Sequence, residues 1–155
     1  MSVDVGTLAP DFTLKDDAGQ SVTLSGDRGS NVVLAFFPAA FTSVCTKELC
    51  TFRDQIARLN AAEAKVYGIS VDTFFTLKVF REQQHLNFPL LSDFNKDVIQ
   101  AYGVYNPDMI GLHGIAKRAV FVLDKAGVVR HAEVLEDARN EPDYDQVFAT
   151  LATLS

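Results

Sequence analysis

Val32-Val33-Leu34-Ala35-Phe36-Phe37-Pro38-Ala39-Ala40-Phe41-Thr42-Ser43-Val44-Cys45 joins an apolar, β-rich run to the start of a helical pattern. Six apolar residues in a row, closed by a proline, read as a strand covered on both faces. Pro38 has no N–H to give to a ladder, so the strand ends before it. Beyond Thr42 or Ser43 the period changes. Cys45, Leu49, Phe52, Ile56 and Leu59 recur at steps of four, three, four and three, which gathers them on one helical face. The spacing predicts a helix from Ser43 to Asn60 with Cys45 in its first turn.

A first helical turn leaves N–H groups without intrahelical partners, and the positive end of the helix dipole lies over them. Both favour a thiolate over a thiol. An ordinary free cysteine packs as a small hydrophobe. Cys45 faces inward but at an open, electropositive end, which is the setting of a reactive nucleophile.

Outward from this stretch the elements alternate. Phe12 to Lys15 and Ser21 to Leu24 form an expected N-terminal hairpin around Asp16-Asp17-Ala18-Gly19. After the first helix come a core strand from Val66 to Val71 and a helix from Thr73 to His85, carrying Phe74, Leu77, Val79 and Phe80. A short helix from Asn95 to Tyr102 follows Pro89-Leu90-Leu91-Ser92-Asp93. Ala119 to Leu123 and Val128 to Val134 flank Asp124-Lys125-Ala126-Gly127, a hairpin turn. Asn140-Glu141-Pro142 opens a last helix, with Asn140 as the expected cap. The order predicts an α/β fold: a central mixed sheet flanked by helices.

The 155 residues are 48% hydrophobic, enough apolar material for the core of one domain spanning 1–155. A net charge of −6, with Lys117-Arg118 as the longest basic cluster, argues against a nucleic-acid surface. Met1-Ser2-Val3-Asp4-Val5 has neither the basic segment nor the apolar stretch of a signal peptide, and no run approaches membrane-span length. Two cysteines five apart suit redox-active thiols in a reducing compartment better than a secreted disulfide framework. A cytoplasmic location is expected.

Pro38, Thr42 and Cys45 match the pattern P-x-x-x-[TS]-x-x-C, and this part of the chain resembles the peroxiredoxins. The likeness extends along most of the chain. It includes Gly6-Thr7-Leu8-Ala9-Pro10-Asp11-Phe12, Ser70-Val71-Asp72, Phe88-Pro89-Leu90-Leu91-Ser92-Asp93, Ala101-Tyr102-Gly103-Val104 and the lone arginine of Lys117-Arg118-Ala119-Val120-Phe121. The body resembles the alkyl hydroperoxide reductase E type, which works with one catalytic cysteine. Cys45-Thr46-Lys47-Glu48-Leu49-Cys50-Thr51-Phe52-Arg53-Asp54 is similar instead to the bacterioferritin-comigratory, or Q-type, branch, where a second cysteine resolves the first. The resemblance implies a thioredoxin-like fold and a thiol-dependent peroxidase acting on hydrogen peroxide and organic hydroperoxides. A thioredoxin-like or low-molecular-weight thiol reductant and a homodimer are also implied. No cofactor or metal is expected, because His85, His113 and His131 lie in separate elements and no phosphate-cradling glycine loop exists.

Peroxide reduction is nucleophilic displacement at oxygen, and its transition state spreads negative charge over sulfur and both oxygens. That chemistry assigns Cys45 as nucleophile and Arg118 as a permanent charge beside it. The Thr42 hydroxyl can accept from an N–H or from Arg118 and donate to peroxide, or simply cap the helix. Pro38 shields the thiolate by resemblance. Glu48, one turn after Cys45, fits by resemblance the position that holds the arginine through an ion pair, or is a solvated glutamate of the first turn. Phe41, Phe74, Phe75, Tyr105 and Met109 line the mouth, a dimer contact or the core.

Cys50 has two readings. Five helical steps turn about 500° and rise about 7.5 Å, which separates the Cα atoms by roughly 8 to 9 Å and the side chains by about 140°. A disulfide needs less than about 7 Å. Either the helix unwinds locally and Cys50 resolves Cys45, or Cys50 is a packed thiol and an external thiol resolves it. A redox sensor or holdase is a rival that would use the same Cys45.

Overall fold

The computed structural model describes residues 3–59 and 64–154. The opening apolar run forms β3 (Asn31–Phe36), buried along its whole length. It lies inside a seven-stranded sheet with β1 (Thr13–Asp16), β2 (Ser21–Thr23), β4 (Ala64–Ser70), β5 (Leu90–Ser92), β8 (Arg118–Leu123) and β9 (Val129–Leu135). The spatial order is β2-β1-β5-β4-β3-β8-β9. β3 pairs in parallel with β4 and antiparallel with β8, so the sheet is mixed. Among the described residues four α-helices accompany it: α1 (Ser43–Leu59), α2 (Phe74–Gln84), α3 (Asp97–Ala101) and α4 (Tyr144–Thr153).

Strand alternation divides the core into two layers. Val32, Leu34 and Phe36 face one side, with Phe12, Tyr102 and Phe121. Val33, Ala35 and Phe37 face the other, with Cys45, Leu49 and Phe52 of α1, Leu77 and Phe80 of α2, and Val147 and Leu151 of α4. β8 follows the same alternation, and Val120 and Val122 lie in this second layer. Arg118, two residues before Val120, therefore starts β8 facing the layer that holds Cys45.

The N-terminal hairpin forms as expected, with Leu14 opposite Val22, and docks antiparallel on β5. Gly19 closes its turn at a φ of 78°, a left-handed conformation that side chains resist. The Asp124–Gly127 turn also forms, its Asp124 Oδ1 accepting from the N–H groups of Ala126 and Val128.

The structure revises several expectations. Leu90–Ser92, in the stretch to which the sequence pattern gives no element, is a strand in parallel register with β4. A separate ladder pairs β6 (Tyr105–Asn106) with β7 (Ile115–Ala116). Thr73 and His85 are the caps of α2 rather than members of it, and Val79 faces solvent at 44% exposure. α4 starts later than expected: Asp143 caps it by accepting from the Gln146 N–H, and Asn140 does not. Asn60 and the side chains of Ile56 and Leu59 fall outside what the structure describes.

Candidate active site

At the end of β3 the Phe37 N–H donates to the Ile69 carbonyl at 2.9 Å, and Pro38 then ends the ladder. The chain turns through Phe41, whose φ of 67° is unusual for a side-chain-bearing residue. Two anchors hold this bend. Asp72 Oδ2, just past β4, accepts from the Ala40 N–H at 2.8 Å and from the Ser70 hydroxyl at 2.7 Å. The Thr42 hydroxyl donates to the Ala39 carbonyl at 2.9 Å.

That last contact revises the Thr42 reading. Its hydroxyl proton is spent on Ala39, which leaves its lone pairs for a donor in the cleft. The Thr42 carbonyl begins α1 by accepting from the Thr46 N–H at 2.9 Å. Cys45 thus lies in the first turn, as its spacing predicts, and is only 1% exposed.

Arg118 reaches this turn from β8 and is fully buried. Its Nη2 donates to Cys45 Sγ at 3.3 Å and its Nη1 to Glu48 Oε1 at 2.8 Å. The Ala138 carbonyl accepts from Nε at 3.1 Å and from Nη2 at 2.9 Å, so the guanidinium is fixed on three sides. Burial by itself lowers the pKa of such a cation, but Glu48 and Cys45 outweigh burial and raise it. Arg118 stays charged.

Glu48 is completely buried, and its Oε2 has no hydrogen-bond partner among the described residues. Burial pushes the pKa of this carboxyl up to about 8 against the opposing pull of Arg118. A cleft of about 730 Å3 opens over Cys45 and Arg118, with Pro38, Thr42, Met109 and Ile110 in its wall. Among the described residues, no group of three or more His, Cys, Asp or Glu side chains is placed to hold a metal ion.

The sequence profile of the AhpC/TSA family matches residues 5–132. The chain belongs to the AhpC/TSA family. Alkyl hydroperoxide reductase E of Mycobacterium tuberculosis is 45% identical over 135 residues, which cover 85% of this chain and 86% of that one. Peroxiredoxin Q, chloroplastic, of Triticum aestivum is 43% identical over 129 residues, 83% of this chain and 58% of that protein. Among solved structures, peroxidoxin BcpB of Mycobacterium tuberculosis superposes with a TM-score of 0.88 at 33% identity, covering 99% of both chains. The peroxiredoxin family and the thioredoxin-like fold implied by the sequence both hold. The protein is a thiol-dependent peroxidase, an oxidoreductase with a peroxide substrate and a thiol reductant.

Sequence reasoning brought Pro38, Thr42, Cys45, Glu48 and Arg118 to one place, and the structure brings them together. It did not find Asp72 and Ala138 as anchors. Ala138 acts through its carbonyl and lies beyond the segment matched by the family profile. Cys50 is separate from this group. It is half-buried, and its Sγ donates to Gln84 Oε1 of α2 at 3.6 Å. Of the aromatic and thioether candidates, Met109 lines the cleft, while Phe41, Phe75 and Tyr105 are exposed. Phe74 stacks on Phe75 with ring centroids 4.2 Å apart. No described helix is long and apolar enough to cross a membrane.

Proposed function

We propose that Cys45 is the peroxidatic nucleophile, reducing hydrogen peroxide and organic hydroperoxides. The observation that carries this reading is the 3.3 Å contact of Arg118 Nη2 with Cys45 Sγ at the base of an open cleft. The thiolate attacks one peroxide oxygen, the S–O bond forms, the O–O bond breaks, and water or an alcohol leaves. Arg118 and the Cys45 N–H stabilise the spreading charge. Thr42 accepts a hydrogen bond from the peroxide, Pro38 limits water access, and Glu48 orients Arg118.

Cys50 then resolves the sulfenic acid: its thiol attacks the Cys45 sulfur, water leaves, and a thioredoxin-type dithiol reduces the resulting disulfide. In the folded protein Cys45 contacts Arg118 of β8 while Cys50 contacts Gln84 of α2. Disulfide formation therefore requires local unwinding of α1. The Cys50–Gln84 contact also supports a second reading, a packed Cys50 with an external thiol as resolver. A homodimer through the exposed Phe41 and Tyr105, in the cytoplasm, completes the proposal.

One experiment separates the two cysteine schemes. After one equivalent of peroxide, peptide mapping with hydrogen exchange should find a Cys45–Cys50 crosslink and lost protection around it. A stable sulfenic acid on Cys45, with Cys50 still alkylatable and α1 still protected, returns the protein to the one-cysteine scheme. Sedimentation that gives a monomer at high micromolar concentration rejects the dimer.

A further inference from the structure

Cys45, Glu48 and Arg118 form a closed cluster with one cation and two acids. Glu48 is fully buried and Cys45 is 1% exposed, so water reaches neither freely. Arg118 divides its donors between them. When Cys45 is a thiolate it takes up the guanidinium charge, and an ionised Glu48 becomes a second, uncompensated buried anion. Such a charge is costly in a protein interior.

The surroundings of Glu48 supply little more positive charge. On α1 itself, Lys47 is drawn to Glu141 at 2.9 Å. From the α4 side, the Tyr144 hydroxyl also donates to Glu141, at 2.9 Å. Glu133 of β9 accepts from the Asp143 N–H. Burial dominates at Glu48, and both Glu141 and Glu133 further disfavour its ionised form. Oε1 is held by Arg118. Oε2 is buried and unpartnered, and is thus the oxygen on which a proton competes with nothing.

We propose that Glu48 is the proton partner of Cys45: in the reactive enzyme Cys45 is the thiolate and Glu48 carries a proton on Oε2. The proposal rests on the reading of Cys45 as nucleophile. A thiol beside ionised Glu48 and a thiolate beside protonated Glu48 differ only by an internal proton transfer, so the cluster keeps the same charge. Oxidation reverses the arrangement. The thiolate, the hydroperoxide and the protonated Glu48 yield a sulfenic acid, an alcohol or water, and ionised Glu48. The leaving oxygen gains the proton, and the negative charge passes from sulfur to carboxylate, so that one anion balances the Arg118 cation throughout.

The test uses the full chain carrying Cys50→Ser, so that oxidation stops at the sulfenic acid. Infrared difference spectra, oxidised minus reduced, should show the loss of a protonated-carboxyl band, absent in Glu48→Gln and shifted by isotopic labelling of glutamate. Labelling assigns the band even if Glu48→Gln fails to fold. In weak buffer near neutral pH, peroxide should then be consumed with no net proton uptake. Two results overturn the exchange: no carboxylic-acid band that responds to oxidation, or uptake of one proton per peroxide. Oxygen mapped to a residue other than Cys45 overturns the nucleophile reading and the proposal with it. Oxygen on Cys45 without the band change overturns the Glu48 exchange alone.

Discussion

Arg118 Nη2 lies 3.3 Å from Cys45 Sγ although the two residues are 73 positions apart in the chain. The contact exists because β8 runs antiparallel to β3, with Ala119 opposite Phe36, so that Arg118 falls beside the end of β3, where the chain turns into α1. Arg118→Ala should lower the rate of peroxide reduction by about 10²-fold or more, the usual cost of a lost donor in such a site. Arg118→Lys retains charge but cannot bridge Cys45, Glu48 and Ala138 at once, and should recover only part of the loss. Stopped-flow oxidation measures both. The stability of Arg118→Ala should also fall with pH. Glu48 stays neutral in acid but becomes an unpaired buried charge in alkali, at a cost of about 3–5 kcal/mol.

The bend before α1 depends on Asp72 and Thr42. Asp72→Ala removes the acceptor that holds the Ala40 N–H and the Ser70 hydroxyl. It should cost about 1–3 kcal/mol in denaturant titrations and lower kcat/KM by loosening the loop that positions Cys45. Thr42→Val loses the bond to Ala39, worth about 0.5–1.5 kcal/mol, together with the oxygen proposed to accept from peroxide. Thr42→Ser keeps both and should remain active. Wild-type rates in Thr42→Val would remove Thr42 from the chemistry.

Periodicity located β3, α1 and the β8–β9 hairpin because each is long or bounded by unambiguous residues. Pro38 closes β3, and the Asp124–Gly127 turn closes the hairpin. β5 escapes the pattern because three residues after Pro89 are too short to express an alternation, and only pairing with β4 and β1 makes them a strand. Asn140 presents itself as the cap of α4, since an Asn two residues before Pro142 is a strong local signal. Asp143 sits one residue before Tyr144 and competes for the same role. At the site, side-chain chemistry was legible and backbone chemistry was not. Nothing in an alanine announces that the Ala138 carbonyl will receive two bonds from Arg118.

Gly68 marks a close approach in the layer beneath Cys45. A Cβ there would lie 2.6 Å from Leu90 Cδ2 and 3.3 Å from Phe37 Cε1, and 3.5 Å from Leu49 Cδ2 on α1. Gly68→Ala should destabilise by about 1–3 kcal/mol through overpacking. Because α1 carries Cys45, the same substitution should slow peroxide reduction. An unchanged melting temperature would mean that Leu90 repacks without strain.

Glu48 also sets a pH dependence of folding. In the folded protein burial raises its pKa to about 8, whereas the unfolded chain releases the proton in the ordinary carboxylate range. Between those limits Glu48 holds more proton in the folded state than in the unfolded chain, so the share of stability that this group contributes falls as pH rises. The stabilisation is fully present below the ordinary carboxylate range and is lost as pH climbs through about 8. The slope from one such group is at most about 1.4 kcal/mol per pH unit. Asp11, Asp124, Asp137 and Glu141 act in the opposite sense, since their folded-state values are lowered and their contributions disappear in acid. Comparing wild type with Glu48→Gln at each pH cancels those groups. Denaturant titrations of the reduced proteins should find wild type losing stability relative to Glu48→Gln from pH 5 to pH 8, the window bounded above by the Glu48 value of about 8. A difference that stays constant across that window would mean that Glu48 is ionised throughout, as a plain ion-pair partner of Arg118.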